Sequence, residues 1–123
     1  MKEVFESFKK SLQRLDEVLK EEKTPTTRDA AIQRFEFTVE LAWKSIQQFL
    51  RSQKIICRSP NECLQESFKF GLIEDNPLWL KMIDDRNLTS HTYNEELVDQ
   101  IYNRLPQYVD ILKKLKSELV KSD

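Results

Sequence analysis

Arg86, His91 and Tyr93 are the residues of this chain whose types and spacing could do chemistry. His91 is the only histidine among 123 residues; it follows Arg86 by five positions and precedes Tyr93 by two. A guanidinium stays charged at neutral pH and meets a phosphate with two parallel N–H donors. An imidazole titrates near neutrality and takes or gives a proton. Together they suit phosphodiester cleavage: the histidine moves a proton, and the arginine stabilises the charge that grows on the phosphoryl oxygens. RNA carries its own nucleophile, the 2′-hydroxyl. Such a reaction needs no metal, and the sequence shows no clear metal-ligand cluster, so neither a metal nor another cofactor is expected. One histidine does not supply both an acid and a base, but two copies related by a two-fold axis would.

The same residues have a plainer reading. Thr92-x-x-Glu95 is a capping box, so Thr92 could simply start a helix. If Asn94 is the cap instead, Tyr93 and Val98 stand at the two positions of a hydrophobic staple, and His91 becomes a loop residue without a task.

The elements that would hold this segment read as helices. A chain of this length favours one domain, here residues 1–123, with a small core. One glycine and four prolines argue against a turn-rich all-β fold, and the 33% of charged residues, spread between apolar positions, suit solvated helix faces. A formal net charge of −1 gives no bulk field toward nucleic acid, so an RNA partner would need a local basic patch. Cys57 and Cys63 do not form a CxxC pair and read as two reduced thiols of a cytosolic protein. No window is apolar enough to span a membrane, and the charged start, Met1 to Glu6, lacks the apolar core of a signal peptide. A cytoplasmic location without membrane contact is expected.

Phe5, Phe8, Leu12, Leu15 and Leu19 predict a first helix from about Lys2 to Glu22, ending before Pro25. Thr26 or Thr27 can cap a long second helix from about Arg28 to Gln53. Its main stripe is Ile32, Phe35, Val39, Ala42, Trp43, Ile46, Phe49 and Leu50. Ala30, Phe37 and Leu41 make a weaker patch on nearly the opposite side, which suits a central helix or one that meets a partner chain. Glu36, at the edge of the main stripe, is either a carboxylate in a surface pair near Glu40 and Lys44 or a partner for a buried arginine. Ser59-Pro60-Asn61-Glu62 starts a short third helix that Gly71 ends. Asp75-Asn76-Pro77 starts a fourth helix, with Leu78, Trp79, Met82 and Ile83 as its apolar face and Arg86 continuing it. The chain then passes from Asn87 to His91 into a fifth helix near Asn94, striped by Leu97, Ile101, Leu105, Tyr108, Leu112, Leu115 and Leu119 and kinked or broken at Pro106. The expected fold is all-α, an up-and-down bundle of four main helices plus one short helix.

The segment Arg86-Asn87-x3-His91-x-Tyr93 resembles the signature of the HEPN superfamily, and its added tyrosine resembles the HepT-type branch. Ile32-Gln33-Arg34-Phe35-Glu36-Phe37-Thr38 with Leu41-Ala42-Trp43-Lys44 carries the same resemblance, which spans nearly the whole chain. The resemblance implies a helical bundle and a homodimer whose composite cleft holds the arginine and histidine of both chains. It also implies a minimal nucleotidyltransferase as partner, acting as antitoxin. By position, Arg86 and His91 would be catalytic in a metal-independent ribonuclease, with Asn87 assisting. Tyr93 would be the residue to which the nucleotidyltransferase adds AMP to silence it. Two other functions stay open: a non-catalytic subunit that binds substrate for the nucleotidyltransferase, and a purely structural helical adaptor.

Overall fold

The computed structural model describes residues 2–91 and 94–122, with the side chains of Lys2 and His91 outside that description. Five helices follow one another: α1 (Lys2–Leu19), α2 (Pro25–Ser52), α3 (Pro60–Phe70), α4 (Leu78–His91) and α5 (Glu95–Lys121). No strand occurs among the described residues. The expected all-α bundle is what forms.

Its core follows from the helical stripes. Phe5, Phe8, Leu12, Leu15 and Val18 of α1 are buried against Phe35, Val39, Ile46 and Leu50 of α2. Helix α5 closes this hairpin with Ile101, Leu105, Tyr108, Leu112 and Leu115, and α4 adds Trp79, Met82 and Ile83. The ring of Tyr108 stacks on Phe35 at 5.6 Å between centroids. None of the described helices is long and apolar enough to cross a membrane.

The helix ends show where short-range signals applied. Helix α2 begins at Pro25, three residues before the expected start. Thr24, not Thr26 or Thr27, is its cap: the Thr27 N–H donates to Thr24 Oγ1 at 3.1 Å, and the Thr24 N–H donates back to Thr27 Oγ1 at 2.8 Å. Proline at the first helical position loses no hydrogen bond, because that N–H has no partner inside the helix. Ser59 caps α3 by accepting from the Glu62 N–H, and Gly71, at φ +93°, ends it in the left-handed region. Asn94 caps α5 through the Leu97 N–H at 3.1 Å, which decides between the two caps open in the sequence. Pro106 does not break α5, which runs on to Lys121. It removes one backbone donor at an exposed position.

The cysteines correct the reduced-thiol expectation: Cys57 and Cys63 are joined as a disulfide. Lys54, at φ +65°, turns the chain out of α2 while the Ile55 N–H donates back to Leu50 O at 2.8 Å. Gln47 Nε2 donates to Cys57 O at 2.8 Å, which seats the connector against α2. This return brings the two cysteine Cα atoms to 5.1 Å, a result of the turn that residue spacing alone does not announce. Closing so short a loop stabilises the fold by about 2 kcal/mol. Urea unfolding with and without reductant should differ by that amount, and coincident curves would contradict it.

Candidate functional site

Arg86 does not begin a loop. Helix α4 continues through Asn87 and Ser90 to His91, so the expected passage out of helix at Asn87 is corrected. Thr89 Oγ1 donates to Arg86 O at 2.7 Å and Ser90 Oγ reaches the same carbonyl at 3.3 Å. These hydroxyls bond back onto the helix instead of ending it. The helical register then divides the segment. Met82, Ile83 and Asp85 are buried and Arg86 is partly buried, while Leu80, Asp84, Asn87 and Leu88 are exposed. Position 91 stands one turn beyond Asn87, and five residues of helix turn it about 140° away from position 86. The His91 side chain, Thr92 and Tyr93 lie outside the described residues.

Arg86 faces α2. Its Nη2 lies 3.4 Å from Glu40 Oε2. Glu40 also accepts from the Trp43 indole Nε1 at 3.1 Å and pairs with Lys44 Nζ at 3.3 Å. Burial pushes the Glu40 carboxyl up, but the Trp43 hydrogen bond and the charges of Lys44 and Arg86 outweigh it and hold the group below the usual carboxylate range. Arg86 Nε is buried and has no partner among the described residues. Glu36 is therefore not the partner of this arginine. It lies one turn earlier on α2, where its Oε2 accepts from Ser90 Oγ at 3.3 Å. Asn87 is exposed beside them.

A second constellation, immediately before Arg86, has no counterpart in the sequence reading. Asp85 is fully buried. Arg104 grips it with two bonds, Nε to Oδ2 and Nη2 to Oδ1, both 2.8 Å, and the Tyr108 hydroxyl donates to Oδ2. Burial, followed by the Asp85 carboxylate, pushes the Tyr108 phenol well above its ordinary value, and the bond to Asp85 raises Arg104. A buried carboxylate holds only with such full pairing. The lock fixes the register of α4 against α5, and so the direction in which the next residue, Arg86, leaves the helix. Arg104 and Tyr108, one turn apart, could have signalled a shared partner.

Beyond the segment, Arg28 ties the start of α5 to the start of α2. It is buried, with Nη1 at 2.7 Å from Glu95 and 3.2 Å from Asp99, and Nη2 at 3.0 Å from Asp29. Lys23 and then Arg28 hold the Asp99 carboxyl below its ordinary value. A depressed carboxylate stabilises the fold above its unfolded value of about 4, and that contribution fades as pH falls through the folded value. Lys113 holds Asp16 low in the same sense. The melting temperature should therefore drop between about pH 5 and pH 2. A flat profile over that range would contradict the assignment.

Concavities formed by the described residues lie elsewhere. One of about 330 Å³ is lined by residues that include Leu72, Trp79, Ile111 and Lys114; another of about 390 Å³, between α1 and α5, is lined by both signs of charge, Lys9, Lys10, Lys113 and Lys116 with Glu6 and Asp16. Neither includes Arg86, Glu36 or Glu40. No group of three metal-ligating side chains stands together among the described residues.

Known proteins share this architecture. The model of the family described as nucleotidyltransferase substrate binding protein like matches residues 3–121. A Haemophilus influenzae protein named probable ribonuclease HepT is 34% identical over 84 residues, covering 64% of this chain and 58% of that protein, so the match spans less than two thirds of the relative's length. A crystal structure from Thermus thermophilus superimposes with a TM-score of 0.86 at 40% identity, covering 91% of this chain and 98% of that one. A second structure, from Haemophilus influenzae, was reported to reveal the fold of a substrate binding domain of a nucleotidyltransferase. It gives 0.70 at 26% identity, covering 96% of this chain and 95% of that one.

Proposed function

Because the chain belongs to the nucleotidyltransferase substrate binding protein like family, we propose that it is the HepT-type half of a toxin–antitoxin pair with a minimal nucleotidyltransferase. In this reading it is a metal-independent endoribonuclease of the cytoplasm, folded as one domain and silenced by AMP on Tyr93. The observation that carries the proposal is the state of Arg86. It is about one-third exposed and, among the described residues, held by a single ion pair, with a buried Nε that has no partner there. The exposed third of the guanidinium, held by one long ion pair, is available to a phosphate. The relative named probable ribonuclease HepT supports the reaction class, and the neighbour reported as a substrate binding domain supports the partner.

The chemistry balances without further groups. A base takes the proton of the RNA 2′-hydroxyl, O2′ bonds to phosphorus, and the bond from phosphorus to O5′ breaks as an acid protonates the leaving oxygen. His91 is the proton carrier, and Arg86 meets the charge on the phosphoryl oxygens. In this reading Asn87, exposed one position on, assists them. Positions 86 and 91 diverge around α4, so a homodimer that faces two such helices supplies the second proton carrier from the second copy. Exposed Phe37 and Leu88 offer apolar surface for that pairing. Silencing follows when the Tyr93 phenol oxygen attacks the α-phosphorus of ATP and pyrophosphate leaves. The added phosphodiester is bulky and negative and repels RNA from Arg86.

A second reading, a non-catalytic subunit that binds substrate for the nucleotidyltransferase, is favoured by one observation. Glu36 and Glu40 flank the Arg86 segment, and RNA binding prefers a basic surface. The test is to incubate the purified protein with the nucleotidyltransferase and ATP, then follow both Tyr93 by mass spectrometry and RNA cleavage. The proposal expects AMP on Tyr93 with cleavage lost, and a Tyr93→Phe protein that still cleaves and escapes silencing. Silencing of Tyr93→Phe equal to that of wild type would contradict it.

A further inference from the structure

Among the described residues, Glu40 is the one charged group paired with Arg86, and the arrangement is lopsided. Glu40 holds three partners: Trp43 Nε1 at 3.1 Å, Lys44 Nζ at 3.3 Å and Arg86 Nη2 at 3.4 Å. If Arg86 lets go, Glu40 keeps the other two. Arg86 has the opposite deficit. Its contact with Glu40 is the longest of these three, while its buried Nε has no partner among the described residues. A buried donor without an acceptor is costly, and such groups are nearly always met in a complete structure. A phosphate takes two N–H groups of a guanidinium together, and with Nε closed to solvent the terminal Nη groups of this one-third-exposed side chain are the ones left for it.

We infer that Glu40 is a resident carboxylate that positions Arg86 in the empty site and yields it to an incoming phosphate. The inference rests on the phosphodiester reading of the site and adds a regulator to it. Displacement runs by exchange. The phosphate oxygens take the terminal Nη groups of Arg86, and Glu40 falls back onto Trp43 and Lys44. No covalent bond is made or broken. Glu40 thereby keeps the guanidinium aimed between α2 and α4, and it sets a threshold that weakly bound anions do not cross. Glu40 is a positioning residue, acting on substrate through Arg86. A mere brace between α2 and α4 would affect stability alone.

The test uses a short 2′-O-methyl oligoribonucleotide, which keeps the phosphates but has no free 2′-hydroxyl to react. Binding is read by polarisation of the labelled strand, and the Trp43 environment by fluorescence in a Trp79→Phe background, which leaves one of the two tryptophans. Glu40→Gln should bind the strand about three- to tenfold more tightly than wild type, because a competing charge next to the phosphate is gone. Trp43 emission should shift on binding in the protein that keeps Glu40. Arg86→Ala should abolish both effects. Equal or weaker binding by Glu40→Gln overturns the inference, with polarisation on the protein carrying both tryptophans deciding if Trp79→Phe does not fold. The probe cannot be cleaved, so the two readings fail separately. Tighter binding by Glu40→Gln in a protein that cleaves no RNA keeps the role of Glu40 and removes the nuclease. Cleavage by wild type with unchanged Glu40→Gln binding removes the role of Glu40 alone. No binding by either protein overturns the inference as well.

Discussion

Replacing Asp85 with alanine should destabilise the fold by about 3–5 kcal/mol, the range for breaking a buried ion pair from one side. The substitution removes the carboxylate but leaves its two partners where they are. Arg104 keeps a guanidinium that lies partly inside the protein, and fully buried Tyr108 keeps a hydroxyl that has lost its acceptor. The Tyr108 hydroxyl cannot turn to water without opening the contact between α4 and α5. Tyr108→Phe should cost less, about 1–2 kcal/mol, because Arg104 still satisfies Asp85. Urea unfolding measures both. A loss below about 1 kcal/mol for Asp85→Ala would mean that the lock does not hold α4. The effect should also reach function, since Asp85 fixes the turn from which Arg86 emerges.

Arg86→Ala should behave in the opposite way, with little change in stability and a large loss of cleavage. Its ion pair to Glu40 is partly exposed and contributes less than about 1 kcal/mol. Removing a group that stabilises transition-state charge costs on the order of 10²–10³ in rate. Arg86→Lys should recover only part of that, because an ammonium offers a point charge where the phosphate presents two oxygens to a fork. Cleavage within about threefold of wild type in Arg86→Ala, at matched folding, would take Arg86 out of the chemistry.

The helices are legible in the sequence because their apolar stripes repeat at helical spacing and their ends carry strong local signals. Ser59, Gly71 and Asn94 act as such residues should. Pro25 reads as a stop and is a start, since the same missing N–H suits both roles. The end of α4 misleads for a related reason. Asn87, Thr89 and Ser90 read as a passage out of helix, yet two of those side chains bond back to Arg86 O and α4 persists. The site is legible only through residue types. Arg86 stands out because a charge continues an apolar face. Its partner does not, because Glu36 and Glu40 lie one turn apart on α2 and only packing selects Glu40. Asp85, Arg104 and Tyr108 come together across 23 residues of sequence, and the Cys57–Cys63 bond depends on a turn at Lys54. The spacing of Arg104 and Tyr108 hints at a shared partner without naming Asp85, and the spacing of the cysteines does not announce the turn that joins them.

Metal-independent cleavage of RNA, with Arg86 and His91 as its agents, stands or falls on one assay. Labelled RNA is incubated with protein made without the nucleotidyltransferase, in the presence of a chelator, and wild type is compared with His91→Ala. Mass spectrometry of the same samples should show Tyr93 unmodified. Wild type should cleave, and His91→Ala should fall by about 10²–10⁴, the usual contribution of a positioned acid or base. Intact RNA in both reactions, with bare Tyr93 confirmed, would contradict the nuclease reading and leave the protein as a binding subunit of the nucleotidyltransferase.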